Sequence, residues 1–474
     1  MIERLLKENS GLVSICLIFF AVLWLYLPVH NFDFLNFDDN LYVTANQQVL
    51  NGITWEGIRW AFTSEHSSHW QPLAFISHML DVELFGLDAG AHHLVSVVIH
   101  AVNCSLLFVL SYYSTKWLIG SLYVALLFGI HPMRIESVAW VSERKDVLSI
   151  FFLLLMLILY MHYSKKGSKI SYLTACLALL LSLLSKPTAI VAPFLLLLLD
   201  FWPLDRFAVN ESCQIRKRFL EKVPFFLLSV LSLLTALWAQ GSGGGLKSLQ
   251  AYPIGLRIDS VLVGYQTYFA KLFLPSEYAI FYPFEIYQPG IAEGALILLA
   301  LLVSAGFWKR KIYPGLFFGI LWYIVALLPM IGILQIGGQS YADRWSYLAH
   351  AGLIWGVTIS LKSCEQRRLL AVAGLLYLLL FAAITRSELY NWRSSQAIFS
   401  HTLRVSPENF MAHNNLGVEF DRVGNLAEAK KNFDAAVRLA PSYPTALINL
   451  ATVFIRERNW NEAEMLLKRA VAIS

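Results

Sequence analysis

Two adjacent carboxylates, Asp38 and Asp39, stand in the stretch LNFDDNLYVTAN just after the first apolar run of the chain. An unhindered carboxylate beside an electrophilic sugar carbon takes the proton of an acceptor hydroxyl, which is general-base catalysis, while its twin holds geometry or a metal. Adjacent carboxylates titrate as a coupled pair, so neither is assigned a pKa of its own from sequence. The competing reading is structural: an aspartate here closes a helix as an N-cap or Asx turn.

Further charged residues collect in three other separated segments: HPMRIESVAWVSERKDVLS (131–149), SKPTA (185–189) and GGQSYADRWSYL (337–348). Arg134, Arg144, Lys186 and Arg344 are the expected contacts for a phosphate or pyrophosphate, arginine being suited to bidentate binding. His131, Glu136, Asp146 and Asp343 join them as candidate substrate contacts. Each run also has a plainer reading: SERKD is a common solvated helix face, and Asp343 with Arg344 makes a simple ion pair.

The elements that must carry these residues follow from composition. The 474 residues are 57% hydrophobic and only 15% charged, and the mean hydropathy is +0.56. That excludes an ordinary soluble domain and indicates an all-α polytopic membrane protein. The first apolar run, 11–29, reads as a spanning helix because no small-residue cleavage pattern follows it. Apolar runs continue to about Thr385, and the Lys/Arg-rich loops 165–169, 214–218, 308–311 and 361–368 fall on one side only if one run between 223 and 307 does not cross. The run 258–274, interrupted by Tyr265, Gln266, Tyr268 and Lys271, is the one left out. About eleven spans result, with the N-terminus cytoplasmic, residues 31–90 as the first external loop and the four charged segments together on the outer face. Positive charge there opposes the usual bias and calls for a use; an anionic headgroup at a membrane face points to a lipid-linked substrate. The formal charge of +5 lies in short loops and does not indicate nucleic acid.

Past residue 387 the apolar runs stop. Residues 412–445 align with 446–474 at a step of 34, matching Asn415 with Asn449, Leu416 with Leu450, Phe420 with Phe454, Ala429 with Ala463 and Ala436 with Ala470. This is the tetratricopeptide period. The expected domains are 1–387 in the membrane and 388–474 as helical repeats, the latter docking on the membrane domain or on a protein partner. The five cysteines have no metal or disulfide spacing. His66 with His69, or His92 with His93, lack the remaining ligands of a metal set, so no metal site is assigned. GSGGGL (241–246) precedes no Lys-Ser/Thr and reads as an outer loop, not a nucleotide loop.

FDDNLYV, WQPLAFISHMLDVELFGLDAGAHHLVSVVIHAVN (70–103), HPMRIESVAWVSERKDVLS, SKPTAIVAPFLLLLLD and YADRWSYL, followed by helical repeats, resemble the transmembrane and tetratricopeptide repeat (TMTC-type) proteins and their bacterial relatives. The resemblance covers nearly the whole chain. It implies a C-fold membrane glycosyltransferase similar to protein O-mannosyltransferases, with chemistry on the lumenal or periplasmic face. The implied donor is a polyprenyl-phosphate-linked hexose, and mannose is the expected sugar. The acidic motif in the first external loop, here Asp38 and Asp39, is implied as the base for inverting attack. The implied partners are that lipid-linked sugar, an exported protein or glycan acceptor, and membrane lipid. No cofactor is expected, the donor being a substrate, and a metal requirement stays open. A bacterial cytoplasmic membrane is the expected location, with the repeats outside. The chain departs from animal members at Gln71, where they carry Arg, and at Lys186-Pro187, where they carry Lys-Glu. Two rivals stand beside this reading: a membrane-anchored scaffold whose charged loops dock partners, and a transporter of lipid-linked sugars, which would need polar residues at the bilayer midplane and internal repeats.

Overall fold

The computed structural model describes residues 9–66, 68–207, 212–364 and 366–473. Residues 1–8, on which the N-terminal orientation partly rests, and Ser67 of the HSSH stretch lie outside the described residues. Helix α1 (Asn9–Tyr26) runs into a 3₁₀ turn and then into the first loop, which carries three short helices, α2 (Gln47–Leu50), α3 (Trp55–Thr63) and α4 (Pro72–Phe85). Asn46 and Thr54 start α2 and α3 with side-chain oxygens that accept backbone N–H groups, and Pro72 opens α4 where its missing N–H costs nothing. Helix α5 (Ala89–Thr115) is capped by Asp88, and α6 (Leu118–Ile130) is followed at Pro132 by a bend of 60° into α7 (Ile135–Ala139). Proline removes the hydrogen bond that would carry the helix straight on.

Helix α8 (Arg144–Lys166) starts in the polar segment and ends at Gly167, whose positive φ closes it. It packs along α9 (Lys169–Ser185), which stops at Lys186-Pro187; α10 (Ala192–Phe201) follows. Then come α11 (Ser212–Leu220), α12 (Val223–Ser242), α13 (Ile254–Phe273), α14 (Ile291–Lys309), α15 (Pro314–Leu327), α16 (Ser346–Ser360) and α17 (Arg367–Leu389). The described strands, β1 (Tyr282–Pro283) and β2 (Gln339–Tyr341), form a small antiparallel pair with Tyr282 opposite Tyr341.

Six helical stretches are long and apolar enough to cross a membrane, or seven if the bent pair at Pro132 is one span. The other expected spans correspond to α9, α10, α15 and α16, of 10–17 residues, packed into the same bundle. The 258–274 run is a continuous helix, α13, that buries Tyr265, Tyr268 and Lys271. Helix α17 leaves Leu369, Val372, Leu375, Leu376, Leu379 and Leu380 exposed, and α14 does the same with Leu296, Ile297 and Leu301. Apolar faces of that size, on helices long and apolar enough to cross a membrane, are faces that lipid covers. The chain is an integral membrane protein.

After α17, α18 (Ser395–Val405) leads into two helical hairpins, α19 (Phe410–Arg422) with α20 (Leu426–Leu439) and α21 (Pro444–Arg456) with α22 (Trp460–Ile473). Corresponding helices begin 34 residues apart. Ala429, Ala436, Ala446 and Ala463 are buried where the hairpins touch, their small side chains permitting close approach. The first part of this segment docks on the membrane domain: Asn409 donates to Phe281 O (2.7 Å), Ser395 accepts from the Asn36 amide (2.8 Å), and Phe399 packs on Phe37.

Candidate functional site: a charged cavity at one end of the bundle

A turn at residues 36–38 and a single π-helical turn, Asn40–Thr44, aim the two aspartates in different directions. Asp39 is fully buried and accepts three hydrogen bonds: Leu35 N (2.8 Å), Ser142 N (2.9 Å) and Ser142 Oγ (2.5 Å). It caps no helix; it ties the acidic turn to the 140–143 segment. Phe37 stacked on Trp140 seals the same junction. Burial pushes the Asp39 carboxyl up to about 6 despite the donors from Ser142 and Leu35 that favour its ionised form. Asp38 instead faces a cavity of about 240 Å³. Its carboxylate makes no hydrogen bond or ion pair among the described residues, and burial raises it above its ordinary range against the opposing pull of Lys145.

Three cations share that cavity with Asp38: Lys145, Lys186 and Arg344. Each is set by a helix end. Lys145 lies in the first turn of α8, Lys186 at the proline stop of α9, and Arg344 in the 3₁₀ turn that opens α16. All three converge on Glu143, at 3.2 Å from Lys145, 3.1 Å from Lys186 and 3.4 Å from Arg344. Lys145 also lies 4.3 Å above the Tyr42 ring, and Arg344 lies over Trp140. The N-terminus of α8 adds its own partial positive charge to this corner. His69 completes the polar wall: its Nδ1 meets the Gln240 side-chain amide at 3.0 Å, and burial, then Lys145 and Lys186, push the ring down to about 3, so it is neutral. The opposite wall is apolar, from Leu233, Ala236 and Leu237 on α12 and Met330, Leu334 and Ile336.

The remaining residues singled out from sequence do not line this cavity. The four cations expected to converge are divided: Lys186 and Arg344 face it, whereas Arg134 and Arg144 point elsewhere. Arg134, beyond the bend at Pro132, is fully buried between Phe128 and Tyr347 and bonded to Ser346 (2.7 Å) and His350 (2.9 Å). Arg144, adjacent to Glu143 but on the other side of α8, reaches Asp81 (2.7 Å), Ser96 and the His92 carbonyl. The candidate substrate contacts lie outside the cavity lining and hold other groups. Glu136 holds Arg344 through both its guanidinium and its amide (2.8 Å), and Asp146 holds Lys186 (2.5 Å). Asp343 pairs with Lys271 (3.0 Å) and Tyr282 (2.7 Å), and His131 bonds Leu272 O (3.0 Å) beneath Phe381. Lys145, Glu143, His69 and Gln240 are cavity residues that the sequence reading left out of the site. The alternation of 143 and 145 around the start of α8 was the available signal, hidden inside a run that resembles a solvated face.

No family model matches the chain. Among curated proteins it is 24% identical to the protein O-mannosyl-transferase TMTC1 of Homo sapiens over 85% of this chain and 51% of that protein. It is 28% identical to human TMTC4, over 85% of this chain and 62% of the relative. Identity rises to 35% against human TMTC2, over 30% of the chain and 18% of the relative. The chain spans about half the length of several curated relatives it matches. Likeness over most of its length, together with the ordered motifs that build the cavity, makes the chain similar to the TMTC-type protein O-mannosyl-transferases.

Proposed function

We propose that the chain is a membrane glycosyltransferase that moves a hexose, mannose by analogy with its relatives, from a polyprenyl-phosphate carrier to an acceptor hydroxyl. The observation that carries this reading is a carboxylate, Asp38, without a hydrogen bond or ion pair among the described residues, facing three cations in one cavity with an apolar wall. Lys145, Lys186 and Arg344 receive the donor phosphate. The polyprenyl chain leaves along α12 and residues 329–336 toward lipid. The volume is below the range of drug-sized pockets and suits one sugar unit.

Asp38 takes the proton of the acceptor hydroxyl as its oxygen attacks the anomeric carbon. The bond from that carbon to the phosphate oxygen breaks with its electron pair, and polyprenyl phosphate departs into the cationic corner, which stabilises the charge it gains. Attack opposite the leaving group inverts the anomeric centre. Glu143 keeps the three cations together before the phosphate arrives, and Asp39 holds Asp38 at the distance set by its bonds to Ser142.

Radiolabelled polyprenyl-phosphate mannose supplied to membranes containing the chain and a pool of exported proteins tests this. Label reaches protein with the wild type and not with Asp38→Asn at equal expression. Silence of the wild type with mannose, glucose and galactose donors alike overturns the reading and returns the chain to the scaffold class.

A further inference from the structure

Next to Tyr42, whose ring underlies the cavity's Lys145, lies a second group of chemically capable side chains. His78 and Asp81 sit three residues apart on α4, and His92 faces them from the first turn of α5. One nitrogen from each histidine and one oxygen from Asp81 all lie within 4.8 Å of one another, and none of the three residues is more than 3% exposed. The His92 Nε2 is 3.0 Å from Gly86 O. A carbonyl only accepts, so Nε2 carries the proton and Nδ1 is a bare lone pair. That lone pair meets Asp81 Oδ2 at 3.5 Å, acceptor against acceptor. His78 is fully buried with neither ring nitrogen hydrogen-bonded.

The Arg144 guanidinium touches Asp81 Oδ2 at 2.7 Å but does not satisfy the imidazoles. Its donors go to Ser96 Oγ (2.7 Å), Ser77 Oγ (3.1 Å) and the His92 carbonyl (2.6 Å). A carboxylate has lone pairs enough for a guanidinium on one side and a further cation on the other. Three lone pairs converging in a buried pocket, two of them from imidazole, call for a cation among them.

We propose that His78, Asp81 and His92 form a binding site for a divalent transition-metal ion, zinc by the character of the ligands, with a fourth position open. Two ligands at zinc distance in tetrahedral geometry lie about 3.3 Å apart, close to the His92–Asp81 separation seen here. The Gly86 carbonyl fixes the His92 tautomer and Arg144 orients the carboxylate, the supporting contacts that metal ligands generally have. The ion joins α4 to α5 and, through Arg144, to the start of α8, where the neighbouring residues Glu143 and Lys145 face the cavity. Its role is to hold the cavity wall, since Tyr42, 6.5 Å from the His78 ring, stands between it and the cavity lysine.

The test is elemental analysis and thermal melting of the full chain purified in detergent, as isolated and after incubation with zinc. The wild type carries one zinc per chain, melts lower after chelation and recovers on zinc addition. His78→Ala and His92→Ala lose the stoichiometric metal, and their melting no longer responds to chelator. The His30→Ala variant, altered at an exposed histidine outside the cavity, keeps both. Cobalt in place of zinc gives the visible absorption of a tetrahedral centre in the wild type and in the control variant but not in His78→Ala or His92→Ala, and a cooperative melt of those two variants shows that ligation, not folding, is lost. A wild type that holds no stoichiometric transition metal after zinc incubation, and melts identically with and without chelator, overturns the site.

Discussion

Asp38 and Asp39 are neighbours in sequence with opposite environments, and that difference sets what each substitution does. Asp38 meets no donor among the described residues, so Asp38→Asn removes the proposed base without leaving a hydrogen bond unmade; transfer is lost while the melting temperature holds. Asp39→Asn places an amide where Leu35 N–H, Ser142 N–H and Ser142 Oγ converge, and at least one donor then faces another. An unsatisfied buried donor costs about 1–3 kcal/mol, so this variant melts lower and loses transfer in proportion to its folded fraction. Both are read by melting and by transfer per folded molecule. The pH profile gives a second check. Asp38 must be ionised to act as base, and its carboxyl lies above the ordinary range because burial outweighs the pull of Lys145. Transfer therefore fails, as pH falls, at a higher pH than a solvated aspartate of about 3.9 would set. Lys145→Met removes the leading lowering influence, so the acid limb of kcat/KM moves to still higher pH; a limb that stays in place or moves down contradicts the assignment of Asp38 as base.

Among the elements, the α15–α16 pair decides where Arg344 stands. Gly315 and Gly319 on α15 face Gly352 and Gly356 on α16, letting the backbones nearly touch. A Cβ built on Gly356 would lie 2.4 Å from the Gly315 carbonyl and 2.7 Å from the Gly319 Cα. Backbone cannot yield as a side chain does, so Gly356→Ala forces the helices apart at a cost of about 1–3 kcal/mol and moves the turn that carries Arg344. The expected result is a lower melting temperature and a raised KM for donor. Gly294→Ala, on the lipid side of α14 with open space around it, is the control and leaves both unchanged or stabilises slightly. The same elements show what was legible in sequence. Apolar runs located the helices, because hydrophobic length acts locally. The gathering of the FDDN, SERKD, SKPTA and ADRW segments at one end of the bundle also followed, because a short loop between spans has few places to go. Which side chain points into the cavity did not. That depends on the azimuth at which α8 starts, which puts Lys145 and Glu143 inward and Arg144 outward, and on the 60° bend that carries Arg134 away. The His78–Asp81–His92 grouping was equally hidden, since it joins two helices across a turn, whereas the sequence pairs His92 with His93.

At the scale of the whole molecule the charged cavity and the helical repeats share one end. Helix α8 has its Lys145 end in the cavity and its Lys165–Lys166 end about 33 Å away at 1.5 Å per residue, a bilayer core's thickness. The repeats return to the cavity end: Asp33 N–H bonds the Arg393 carbonyl (3.0 Å), Asn36 bonds Ser395, and Ile280 N–H bonds Thr402 Oγ1 (3.4 Å). These bonds come from both the first loop and the segment before β1, so α18, which leads into the hairpins, is held beside the site by two independent attachments. A protein acceptor bound on the repeats would then reach Asp38 without crossing the membrane. Sealed vesicles decide this arrangement. In a background with the five native cysteines replaced by serine, Ser442→Cys in the repeats and Ser248→Cys in the loop after α12 react together with a membrane-impermeant maleimide, and Lys166→Cys reacts only from the opposite side. If Ser442→Cys instead labels with Lys166→Cys, the repeats lie across the membrane from the cavity, and acceptor presentation by the repeats is ruled out even if Asp38 remains the base.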